Sequence, residues 1–129
     1  MIGMPNISSE RLRKITATVL KAAGATDEEA ELVTDVLVSS NLLGVDSHGV
    51  GMIPEYIKMI KKGLIKPNNK PKVIHETPTT ALLDGNDSWG YVVAKKAMEI
   101  AIEKAKGKGI ATVSIRSCNH IGRLGYFAM

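Results

Sequence analysis

The sequence predicts an α+β fold, and three observations carry that prediction. Apolar residues recur at helical spacing in three successive runs over the first half, each closed by a glycine. The stretch Lys66-Pro67-Asn68-Asn69-Lys70-Pro71 then excludes regular structure and serves as a linker. Beyond it, short β-branched runs surround one long helical run in the order β-β-α-β. The expected organisation is therefore a helical segment over residues 1–66, followed over 67–129 by the start of a mixed α/β domain.

In chain order, Ser8 or Ser9 caps the first helix, which places Leu12, Ile15, Thr16, Val19, Leu20 and Ala23 on one face and stops at Gly24. Thr26-Asp27-Glu28-Glu29 opens the second helix as a capping box, with Glu29 reaching back to Thr26, and its acidic first turn suits the helix dipole. Ala30, Val33, Val36, Leu37 and Leu43 form its buried stripe, and Gly44 ends it. The segment Asp46-Ser47-His48-Gly49 leads into a third helix that His48 begins, with Ile53, Tyr56, Ile57 and Ile60 inward and Gly63 at its close. Pro54 is tolerated in a first turn, where its missing N–H costs nothing.

Val73–Glu76 and Thr80–Asp84 make a hairpin around Thr77-Pro78-Thr79, and Asp84-Gly85-Asn86-Asp87 is a turn. Ser88 caps a long helix running through Val93, Ala97, Ile100, Ala101 and Ala105 to Gly107. Ile110–Ile115 is β-branched and predicts an interior strand, so His120 falls just past a strand end. Gly122 onward leads toward a further helix, and the chain stops within it, as the N-terminal part of a longer protein would.

Composition narrows the function classes. The chain has 129 residues, of which 44% are hydrophobic and only 4% aromatic, enough for one largely aliphatic core. A net charge of +4 is spread in Lys/Glu mixtures, with no basic stripe interleaved with aromatics, so a nucleic-acid surface is not expected. The single cysteine, Cys118, excludes an intramolecular disulfide and fits a reducing compartment. No signal-peptide pattern opens the chain, and no apolar run approaches the roughly 18–20 residues of a membrane span, so a cytoplasmic protein without membrane contact is expected.

Chemistry centres on two histidines, each in a polar segment next to glycine: His48 in Asp46-Ser47-His48-Gly49, and His120 in Ser117-Cys118-Asn119-His120-Ile121-Gly122. Histidine exchanges protons near neutral pH, and the fold is expected to bring the two segments together. Asp46, Ser47 and His48 have the residue types of a hydrolase triad, but adjacent residues cannot converge as nucleophile, base and orienter. No pairing among His48, His120, Cys118 and Asp46 has metal-motif spacing. Two readings stay open on spacing alone. In one, a histidine exchanges a proton with a substrate oxygen. In the other, His48 caps the third helix and His120 fills a polar turn. His75, alone on a strand, belongs to the second kind. Gly85-Asn86-Asp87-Ser88-Trp89-Gly90 lacks the G-x-G-x-x-G spacing of a dinucleotide fingerprint. Gly122-Arg123-Leu124-Gly125 is better placed, with an arginine able to pair with phosphate or carboxylate.

Taken together, Asn41 to Val50, then Ile53-Pro54-Glu55-Tyr56, Asp84-Gly85-Asn86 and Asn119-His120-Ile121-Gly122 with Gly125-Tyr126 resemble the type-2 malate/L-lactate dehydrogenases. That family includes L-sulfolactate and ureidoglycolate dehydrogenases and the diketogulonate and piperideine-2-carboxylate reductases. The resemblance covers the N-terminal third of a typical member. It implies a helical part packed on a non-Rossmann, largely antiparallel nucleotide-binding domain, in a homodimer. It also implies NAD- or NADP-dependent hydride transfer on a small 2-oxo or 2-hydroxy acid. By position His120 matches the family's acid–base histidine, and His48 with Ser47 matches a pair with catalytic or cofactor-contacting roles. Tyr56 matches a substrate-side tyrosine, and Gly122, Arg123 and Leu124 match a cofactor-touching loop. One departure stands out: many members carry a carboxylate-binding arginine where this chain has Met52, which offers no donor. Arg123 is the candidate substitute, at a position that is not equivalent. A non-catalytic remnant or interaction module of this fold is the competing class.

Overall fold

Residues 6–129 are described by a computed structural model. Four helices and three strands follow one another as α1 (Ser9–Ala22), α2 (Asp27–Leu42), α3 (Ile53–Lys61), β1 (Lys72–Glu76), β2 (Thr80–Asp84), α4 (Gly90–Lys108) and β3 (Thr112–Arg116). The expected β-β-α-β order beyond the linker is thus present, after a helical first half.

Local chemistry sets the helix ends. Ser8 accepts from the Arg11 N–H at the start of α1, and Gly24 follows its last turn at φ +101°, a conformation only glycine takes without strain. At α2 the capping box is complete: Glu29 N–H donates to Thr26 Oγ1, and Thr26 N–H donates to Glu29 Oε2. Glu29 is buried, and its second oxygen accepts from Asn68 N–H at 2.9 Å. One carboxylate therefore closes a helix and pins the linker 39 residues away, which keeps residues 66–71 irregular but anchored.

The sheet has the order β1-β2-β3, antiparallel between β1 and β2 and parallel between β2 and β3. Ala81 and Leu83 of β2 are buried, and Leu83 packs with Val93 and Ala97 of α4 over Val113 and Ile115. A larger core draws Leu20, Val33, Val36 and Leu37 from α1 and α2, Tyr56 from α3, Ile65 from the linker's edge, and Trp89 and Tyr91 from the start of α4. The aromatic members stack edge to face, Tyr56 lying 6.0 Å from Trp89 and 5.9 Å from Tyr91 between ring centres. We propose that the boundary at residues 66/67 divides two segments of chain that share this core.

Several expectations are corrected. Ile15 and Val19 are exposed on α1, because α2 covers only the Thr16–Leu20 side of the helix. Leu43 is 60% exposed, since α2 ends at Leu42 and Leu43 becomes its cap. His48 does not begin a helix: it closes a 3-10 turn, Asp46–His48, and a second such turn, Val50–Met52, precedes α3. Ser88 does not cap α4. Asn86 and Asp87 both adopt φ of +53°, which prolongs the turn and moves the cap position to Trp89. The same helix runs one residue past Gly107, to Lys108, with Gly109 in the left-handed conformation after it. The last strand starts at Thr112 rather than Ile110, whose side chain is 71% exposed while the backbone crosses from α4 to the sheet. It lies at an edge of the described sheet, not inside it. After Gly122 only a 3-10 turn, Leu124–Tyr126, forms in place of the expected helix. Among the described residues, no helix is long and apolar enough to cross a membrane.

Candidate active site

The two histidine segments meet. Ring centres of His48 and His120 lie 5.6 Å apart, although the two residues are 72 positions apart in the chain. Each is delivered by an asparagine. Asn41, in the last turn of α2, donates to Asp46 Oδ1 at 2.6 Å and accepts from Val50 N–H at 2.9 Å, clamping both ends of the turn that carries Ser47 and His48. A Cβ at Gly49 would strike that same Asn41 side chain, which explains the glycine after the histidine. Asn119 donates to the carbonyl oxygens of Leu64 (2.9 Å), Ser88 (3.2 Å) and Asp87 (3.4 Å), tying the His120 loop to the end of α3 and the approach to α4. Gly90 lies directly beneath the Asn119 and His120 carbonyls, where any side chain would collide with backbone.

Within this junction the hydrogen bonds form two short chains. Ser47 Oγ lies 2.9 Å from His48 Nδ1. The Tyr56 hydroxyl lies 2.8 Å from His120 Nδ1 and 2.5 Å from the Tyr91 hydroxyl. Tyr56 and Tyr91 are buried, whereas His120 keeps an exposed edge. With Nδ1 engaged by Tyr56, Nε2 is the nitrogen of His120 left for a substrate. Burial, and then the neighbouring His48, lower the His120 pKa below the ordinary histidine value. Burial raises both phenols: Tyr56 is shifted up despite its bond from Tyr91, and Tyr91 is pushed up further by burial and by Tyr56.

The remaining sequence-predicted residues are distributed around this cluster. Gly122, at φ +77°, packs against the Tyr91 ring, and a Cβ there would overlap it. Arg123 starts the 3-10 turn, and its Nε and Nη2 are buried without a partner. Leu124 is 70% exposed and lines an apolar groove of about 390 Å³ with Ala97, Met98, Val113, Ile121 and Phe127. Met52 packs against the main core. His75 is exposed on β1. Among the described residues no three His, Cys, Asp or Glu side chains are grouped to hold a metal ion. Sequence reasoning did not single out Tyr91, and Asn41 and Asn119 entered only as members of motifs. No local signal marks Tyr91, because its partners are 35 and 29 positions away.

The arrangement can exchange a proton with a substrate at one imidazole edge and offer further donors from Ser47 and His48. The family model for malate/L-lactate dehydrogenase matches residues 7–129. The chain is 43% identical over 122 residues to an L-sulfolactate dehydrogenase of Methanocaldococcus jannaschii, covering 95% of this chain and 36% of that protein. It is 40% identical over 120 residues to a hydroxycarboxylate dehydrogenase B of Escherichia coli K12, covering 93% of this chain and 33% of that protein. The solved structure of malate dehydrogenase from Pyrococcus horikoshii OT3 superposes with a TM-score of 0.92 at 40% identity, over 96% of this chain and 36% of that one. The chain thus spans about a third of the length of these relatives. A family match over nearly every described residue, joined to this degree of identity, shows that the chain belongs to the malate/L-lactate dehydrogenase family, as its N-terminal portion.

Proposed function

We propose that this chain supplies the acid–base half of an NAD- or NADP-dependent oxidoreductase that moves a hydride between nicotinamide and a small 2-hydroxy or 2-oxo acid. The observation that carries the proposal is the convergence of His48 and His120 with Tyr56 bonded behind His120. The relatives' names support the substrate class: they are malate, sulfolactate and hydroxycarboxylate dehydrogenases.

His120 exchanges the proton. Its lowered pKa leaves the imidazole neutral near pH 7, ready to accept the proton of a substrate hydroxyl at Nε2. In the reverse direction the protonated ring neutralises the charge that grows on a carbonyl oxygen. Ser47 and His48 present donors from the facing turn, where they bind and orient the acid. A nicotinamide nucleotide fits the residues present, because Arg123 has two buried guanidinium nitrogens with no partner and needs an anion to compensate them. Arg123, His48, Gly122 and Leu124 are the residues that would hold the nucleotide, and when bound it supplies the hydride. Arg123 is also the group available to a substrate carboxylate in place of an arginine at position 52. The assembly proposed for the whole protein is a homodimer, and its compartment the cytoplasm.

The test is steady-state kinetics on the native gene product with a panel of 2-oxo acids and both nucleotides. Turnover of at least one acid with NADH or NADPH is expected. No turnover, together with no change in nicotinamide fluorescence on mixing, overturns the proposal. The second reading, a non-catalytic interaction module, is favoured by Met52, which has no donor for a carboxylate.

A further inference from the structure

The loop that follows His120 holds a guanidinium with nothing to pair with. Arg123 Nε and Nη2 are both buried without a hydrogen-bond partner, and among the described residues no carboxylate pairs with the side chain. These two nitrogens form one side of the guanidinium fork, the side that grips a carboxylate or phosphate through two parallel N–H bonds. Sealed from water and unpaired, that side carries its full desolvation cost, so packing alone keeps it where it lies. The remaining nitrogen, Nη1, shows what leaves room for this pose. A Cβ at Gly125 would stand 2.8 Å from Nη1 and 3.9 Å from Cζ of Arg123, and beyond the chain neighbours no other atom comes within 4 Å. Gly125 has no left-handed φ, so the backbone of the turn does not call for glycine there. Resting on the reading of Arg123 as an anion-holding residue, we propose that Gly125 is a positioning residue: it lets the Arg123 guanidinium park, closed and unpaired, against the Leu124–Tyr126 turn, from which an arriving carboxylate or phosphate draws it out.

In the parked pose the fork cannot grip a ligand, because Nε and Nη2 are the atoms it grips with and both are closed off. Binding therefore runs through a turned-out pose. Turning out relieves the unpaired burial, and the anion then gives the same two nitrogens charge-assisted bonds. The measured affinity is the intrinsic one reduced by the fraction of molecules already turned out. A methyl group at position 125 removes the room for the parked pose and so raises that fraction. It meets only the tip of a flexible side chain, which leaves the turn's own bonds in place, from Tyr126 N–H to the Arg123 oxygen (3.0 Å) and from Phe127 N–H to the Leu124 oxygen (3.1 Å). Gly125→Ala should thus tighten anion binding, whereas a glycine needed only for the shape of the turn would weaken it on replacement. A nucleotide phosphate and the carboxylate of the acid share this chemistry.

Calorimetric titration of the full chain with pyrophosphate, and separately with oxalate, reads the affinity. Gly125→Ala should bind at least one of the two about threefold or more tightly than the parent protein, and the gain should vanish when Arg123→Gln is added. The probe that gains names the source: pyrophosphate stands for the nucleotide, oxalate for the acid. Equal, weaker or unmeasurable binding in Gly125→Ala overturns the proposal, as does a gain that survives Arg123→Gln. Exchange of the Arg123 Nε–H with water, followed by heteronuclear NMR, reads the parked pose without any ligand. In the parent protein it should be about tenfold or more slower than at the exposed Arg11, and in Gly125→Ala it should approach the Arg11 rate. Arg123 exchanging as fast as Arg11 in the parent protein overturns the proposal, whether or not the variant folds. Neither readout needs turnover, so a failure to turn over 2-oxo acids would remove the oxidoreductase reading and leave this result standing.

Discussion

At the scale of single residues, the two histidines occupy different mechanical situations. His120 is fixed on three sides, by Tyr56 at Nδ1, by Asn119 through three carbonyls, and by Gly90 beneath its backbone. His48 rests on a 3-10 turn with Ser47 as its near partner. In the native gene product, His120→Ala should lower kcat about a hundredfold or more, as loss of a general acid–base does. His48→Ala should raise KM for acid or nucleotide at least as much as it lowers kcat, the pattern of lost uniform binding. The reverse split in measured kcat and KM would hand the proton to the Ser47–His48 pair. A pH effect follows from the lowered His120 pKa. Between its folded value and the ordinary 6.5, the unfolded chain binds the proton more readily. His120 therefore destabilises the fold as pH falls through that window, with the loss complete below the folded value. Urea midpoints should decline from about pH 7.5 to about pH 5, less steeply in His120→Gln; an equal slope in both proteins would exclude His120 as the source. The effect is modest because the ring keeps a solvent-facing edge.

At the scale of elements, two contacts hold segments that have little regular structure of their own. Glu29 closes the α2 capping box and anchors Asn68 of the linker. Glu29→Ala removes both acceptors and leaves two N–H groups without partners, so a loss of about 2 kcal/mol is expected from chemical denaturation. A loss near zero would mean that water replaces the carboxylate at both places. The 3-10 turn near the end of the chain is held in a comparable way: Tyr126 donates to Asp35 Oδ2 at 2.6 Å, while Arg13 pairs with Oδ1 of the same carboxylate. Burial opposes ionisation of Asp35, but the bonds from Tyr126 and Arg13 outweigh it and keep its carboxyl below the usual range. The Tyr126 phenol is pushed up to about 12 by burial and by Asp35. Tyr126→Phe should release the turn for a cost of about 1 kcal/mol, visible as faster amide exchange over residues 123–127.

At the scale of the molecule, one core spans the linker. Leu20, Val36 and Leu37 from the first half meet Trp89 and Tyr91 from the second. Unfolding should therefore proceed as a single transition by near- and far-ultraviolet circular dichroism; two resolved transitions would make the halves independent. The apolar groove between α4, β3 and the residues after Gly122 is open to solvent, with Met98 and Leu124 exposed in its lining. A groove of that composition should bind an environment-sensitive apolar dye, and Met98→Lys should weaken the binding. Dye fluorescence unchanged by the chain would show the groove closed in solution.

How much of this was legible in the sequence depends on the range of the forces involved. Helix and strand order, the Ser8 and Thr26 caps, the hairpin, and the resemblance carried by Asp46-Ser47-His48-Gly49 and Asn119-His120-Ile121-Gly122 were all readable. They rest on spacing and on bonds between residues a few positions apart. The histidine pairing was expected from chemistry, but its distance and its hydrogen bonds were not. Ser88 looked like a cap because a short-range rule sees the residue type and not the left-handed Asn86 and Asp87 that displaced the helix start. Tyr91 was invisible as a site residue: an aromatic in an apolar helix turn is indistinguishable from packing until Tyr56, His120 and Gly122 arrive from elsewhere. Sequence by itself determined the order of the four helices and three strands and the family, because both are encoded locally or in ordered motifs. Only the tertiary structure decided which side of His120 is held and which is free, because that depends on hydroxyls brought together across 35 and 64 positions of chain and closed off from water.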